Sequence, residues 1–85
     1  MVTTQAITRT QTGVRIATPL LKVLKGLAEY EDMSLGDLLE GIVLHAFEGK
    51  QPFTEETRAV IDKLRDVYDC RLTAGDAPRF TEDEP

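Results

Sequence analysis

Arg9, Gln11, Gly13 and Arg15 stand at every second position near the start of the chain, inside a stretch that carries no acid. Two guanidiniums and an amide on one parity make a binding set: they offer directed hydrogen bonds and positive charge, but nothing that attacks or relays a proton. Catalysis finds no support elsewhere. One His, one Cys and scattered carboxylates supply no nucleophile with its base and orienting group, no metal-ligand spacing and no phosphate loop. The chain is therefore not expected to be an enzyme or to hold a metal or other cofactor. His45 falls near the end of a helical stretch and reads as a helix-end residue or core filler, not as a metal ligand or base. Cys70 is alone, so no disulfide can form within the chain.

Charge sharpens the reading of the first stretch. Residues 1–25 hold Arg9, Arg15, Lys22 and Lys25 and no acid, whereas residues 26–85 hold six bases and all fifteen acids, for a net −5. The asymmetry suggests a basic working face at one end of an acidic remainder. Lys22 and Lys25 fit a solvated helix face. At 85 residues the chain makes one small domain with a marginal core, and a second copy of itself is the expected support. No apolar run approaches a membrane span and no secretory pattern opens the chain, so a soluble protein of the reducing cytoplasm, without membrane contact, is expected.

The elements that must position these side chains follow from periodicity. Thr12, Val14 and Ile16 alternate with Gln11, Gly13 and Arg15, a period of two that predicts a short strand with the apolar set inward. Thr18-Pro19 then starts a helix, Thr as cap and Pro at its first position, with Leu20, Val23, Leu24 and Leu27 on one face. Gly26 inside it costs about 1 kcal/mol relative to Ala and reads as a place where another helix packs closely. Asp32 suits a left-handed turn. Ser34 opens a second helix, with Asp37 in a capping-box-like place. Its broad apolar arc, which includes Leu35, Leu38, Leu39, Ile42, Val43 and Phe47, predicts the buried centre of an assembly. Gly49-Lys50-Gln51-Pro52 ends that helix. Thr54 caps a third, striped by Val60, Ile61, Leu64, Val67 and Tyr68 and running to about Asp69 or Cys70.

The Gln-x-Gly-x-Arg strand, the helix opening at Thr18-Pro19, and Ser34-Leu35-Gly36 opening a helix that ends at Phe47 resemble, in order and length, the ribbon-helix-helix DNA-binding proteins, the family of the Arc and methionine repressors. The resemblance covers residues 8–48. It implies a mostly α fold with one short N-terminal strand and two helices. Two chains would intertwine as a homodimer beneath a two-stranded antiparallel ribbon, and here a third C-terminal helix would be added. Residues 1–7 would be a flexible arm, 49–72 a helical extension and 73–85 a disordered acidic tail. The implied function is a sequence-specific transcriptional regulator, a repressor type, that inserts its β-ribbon into the major groove of double-stranded DNA.

On that resemblance Gln11, Gly13 and Arg15, flanked by Arg9, face the bases. Arg is suited to guanine and Gln to adenine. The amides at Ser34, Leu35 and Gly36 would meet a phosphate. Val14, Ile16, Leu24, Leu39, Ile42, Val43 and Phe47 would form the dimer core. Two other functions stay open. An antitoxin would neutralise a toxin protein through residues 50–85, where the acids could cover a basic surface. A dimerisation scaffold without DNA binding would suit the side-chain-free Gly13 and the acidic balance.

Overall fold

The computed structural model describes residues 6–77. Its architecture is three helices of 13 residues each: α1, Thr18–Tyr30; α2, Leu35–Phe47; and α3, Glu55–Val67. Local chemistry sets their starts. The Ser34 hydroxyl accepts the Asp37 amide at 3.1 Å, and the Thr54 hydroxyl accepts the Thr57 amide at 3.1 Å, each satisfying a donor that the helix itself leaves unpaired. α1 begins differently from the expectation. Ala17 is its N-cap and makes no side-chain bond, so Thr18 lies within the first turn and Pro19 does the pre-organising.

All three helices stop in the same way. After α1, Met33 N–H reaches Ala28 C=O at 3.0 Å and Asp32 N–H reaches Glu29 C=O at 3.1 Å. After α2 the corresponding bonds run from Lys50 to His45 and from Gly49 to Ala46, and after α3 from Cys70 to Arg65 and from Asp69 to Asp66. This paired closure needs one left-handed residue, supplied by Asp32 (φ 57°), Gly49 (φ 68°) and Asp69 (φ 51°).

The core lies where α1 meets its two neighbours. Leu27, Ala28 and Leu38 are buried, with Leu24, Ile42, Phe53, Val60, Ile61 and Leu64 packed around them. α3 packs closely over Gly26: a Cβ there would stand 3.1 Å from Leu64 Cδ2 and 3.6 Å from the Tyr68 ring. The close helix approach read from that glycine is thus made by α3. Val67, at the edge of the α3 stripe, is left exposed. The Thr57 hydroxyl also donates to Glu31 at 3.2 Å, joining the start of α3 to the end of α1. Beyond α3, Arg65 donates to the carbonyls of Cys70 and Leu72 and folds the chain back, which buries Cys70. Thr73 and Asp76 close a further turn. That turn falls inside the tail expected to be disordered, residues 73–85; the rest of that tail, residues 78–85, lies outside the described residues, as do residues 1–5 of the proposed arm.

The expected ribbon-helix-helix fold is overturned. Among the described residues there is no strand, and residues 6–17 carry no regular secondary structure. The alternation in residues 11–16 failed as a predictor for a physical reason. A strand exists by pairing its backbone groups, the expected partner was the same segment of a second chain, and within one chain residues 6–17 join no ladder. Its parity also does not sort burial: Val14 is 73 % exposed, and Gln11, Gly13 and Arg15 are exposed as well. Among the described residues, no helix is long and apolar enough to cross a membrane.

Candidate functional site: a basic segment moored on α2

Residues 6–17 run into α1, and Arg9 ties them to α2. Its Nε donates to Glu40 Oε2 at 3.1 Å and its Nη2 to Glu40 Oε1 at 2.8 Å, a fork-on-carboxylate pair. The same Nη2 reaches Asp37 Oδ1 at 2.9 Å. Asp37 and Glu40 stand three apart on α2 and so share one helix face. The Arg9 hydrogen bond is the main influence lowering the Glu40 carboxyl below its ordinary value of 4.5, and in return Glu40 chiefly raises the Arg9 guanidinium. Arg9 was expected to flank the base-reading set; here carboxylates hold it.

The other base-reading candidates lie on exposed positions. Gln11, Gly13 and Arg15 are exposed, and nothing approaches within 4 Å of where a Gly13 Cβ would stand. Ser34, Leu35 and Gly36, the phosphate candidates, sit at the start of α2. Ser34 and Gly36 line an open cavity of about 390 Å³ together with Thr8, Arg9, Thr10, Asp37 and Glu40. Of the expected interface, the structure brings Arg9, Ser34 and Gly36 to this cavity, together with two acids that sequence reasoning did not assign to it, whereas Gln11, Gly13, Arg15 and Leu35 do not line it. The i, i+3 spacing of Asp37 and Glu40 was the available signal; their pairing across 28 and 31 residues had none.

The proposed dimer-core residues divide. Leu24 and Ile42 pack on the core of the single chain, and Ile16 and Leu39 are half-buried. Val14, Val43 and Phe47 are exposed, Phe47 by 80 %. In the single chain Leu38 is the buried residue of α2, and the rest of its apolar arc is half-buried or exposed. A second cavity of about 250 Å³ opens beside α2, lined by Met33, Leu38, Ile42, His45 and Phe53 among others. His45 Nδ1 donates to the Gly41 carbonyl at 2.7 Å, so one ring nitrogen is engaged within its own helix. Among the described residues, no group of three or more His, Cys, Asp or Glu could hold a metal ion. Set against known protein families, curated proteins and solved structures, the chain matches none of them.

Proposed function

We propose that this protein is a homodimeric, sequence-specific DNA-binding transcriptional regulator whose reading element is the irregular segment before α1. The observation that carries the reading is the mooring of an acid-free basic segment beside the N-terminal end of α2 by Arg9. Guanidinium and amide side chains on an accessible backbone suit base edges, and basic charge suits phosphate. The second copy is supported by Val43 and Phe47, which leave an apolar patch on α2 that one chain does not cover. A two-fold dimer would present the reading segment twice. α3 packs on α1 in the free chain, which favours this regulator over an antitoxin whose C-terminal part waits for a partner.

Selection of duplexes from a random-sequence pool, followed by affinity and salt-slope measurements on the selected duplex, tests the proposal. Arg15→Ala should keep the helices and the dimer while weakening binding, most at one base position per half-site. If the wild type retains no duplex at low salt, the DNA reading fails and a dimerisation scaffold takes its place.

A further inference from the structure

We infer that Arg9 is a positioning residue of the DNA-binding segment: by clasping Asp37 and Glu40 it fixes one end of that segment on α2, and it does not read a base. The inference rests on the DNA-binding reading and assigns within it a role opposite to the one the residue type suggests. Three observations carry it. The Nε and Nη2 edge, with which an arginine can grip a guanine, is filled by both oxygens of Glu40, and Nη2 is shared with Asp37. The partners lie 28 and 31 residues away, so the contact anchors the segment to another element instead of shaping a local turn. The other end of the segment is fixed where α1 begins at Thr18. Gln11 and Arg15 are therefore strung between two anchored points. A chain reaches at most about 3.3–3.6 Å per residue, so both candidates stay close to the clasp.

Simple electrostatics and positioning predict opposite outcomes for one variant. Neutralising the acids with Asp37→Asn and Glu40→Gln removes two negative charges per chain beside the DNA-facing segment. By charge alone DNA affinity would rise. Loss of the anchor instead predicts that affinity falls.

The measurements are backbone ¹⁵N order parameters at Gln11, Gly13 and Arg15 in the free protein, and affinity for the duplex that the wild type selects from a random pool. In Asp37→Asn/Glu40→Gln the order parameters should drop from near-helical values to below about 0.6, and affinity should fall about fivefold, with helical content by circular dichroism unchanged. The reversed pair Arg9→Glu/Glu40→Arg should restore both, because the clasp is rebuilt with its charges exchanged. Unchanged order parameters in the neutralised variant overturn the clasp, and a rise in affinity overturns its positioning role. A reversed pair that regains order but not binding assigns Arg9 to the DNA and also overturns the inference. Should the wild type select no duplex, the DNA reading falls, and the order parameters decide the clasp by themselves.

Discussion

Truncating Phe47 tests the proposed association of two chains separately from the fold of one. Phe47 occupies the last residue of α2 and keeps 80 % of its surface in water, while Val43, one turn earlier, keeps 43 %. A phenylalanine side chain offers roughly 150–250 Å², so about 160 Å² of it awaits cover. At ~25 cal/mol per Å² that area corresponds to about 4 kcal/mol if all of it were buried. Allowing for partial cover at an interface and for the Cβ that alanine retains, about 2 kcal/mol per protomer is a fair expectation. Two-fold symmetry counts the change twice, giving about 4 kcal/mol, or about a thousandfold in the dimer Kd. The isolated chain should barely respond, because exposed substitutions away from special features shift stability by about 0.5 kcal/mol or less. Sedimentation equilibrium gives the Kd, and thermal melts across a concentration series give the linked stability. Wild type should melt higher as concentration rises, and Phe47→Ala should melt at one temperature throughout the same range. If Phe47→Ala associates as tightly as wild type, or if wild type is itself monomeric at high concentration, this face is not where two copies meet.

Three further outcomes follow from the fold and the clasp. Gly26→Ile should lower the thermal midpoint, by about 1–3 kcal/mol of overpacking, because a Cβ alone already comes within 3.1 Å of Leu64; Leu64→Ala in the same chain should recover part of the loss. Asp32→Gly should stabilise by a few tenths to about 1 kcal/mol, since it relieves a left-handed residue that carries a side chain, and denaturant titration will read the difference. Glu40 should titrate below its ordinary 4.5, chiefly through its hydrogen bond with Arg9. A depressed folded value means that the clasp contributes above the unfolded pKa and is lost as pH falls through the folded one. The ¹³Cδ titration of Glu40 should accordingly shift upward in Arg9→Gln; identical midpoints would deny the pairing in solution.

What could be read from the sequence was what neighbouring residues decide between themselves. Ser34 and Thr54 cap their helices because a short hydroxyl reaches an amide three residues on. Asp32 and Gly49 end helices because their backbones tolerate positive φ. Gly26 could be read as a close approach because its propensity penalty needs a reason, although only the structure names Leu64 and Tyr68 as that reason. The strand was misread because alternation in six residues is a local pattern, whereas a strand is a pairing relation. The Arg9 clasp escaped for the same cause. Its partners are 28 and 31 residues away, and nothing local to Arg9 distinguishes a guanidinium that binds carboxylates from one that binds bases.

The clasp also bears on how a chain of net charge −5 can approach a polyanion. At physiological ionic strength charges are screened over about 8 Å, so the sum over the whole chain matters less than the charges around the approaching phosphates. Among the described residues, Asp37 and Glu40 stand beside the proposed reading segment, and Arg9 is paired with both. Lys22 and Lys25 continue the acid-free stretch on exposed positions of α1. At the other end, Asp66 and Asp69 are paired with Arg71. Part of the acidic remainder is thus paired with arginine where it stands.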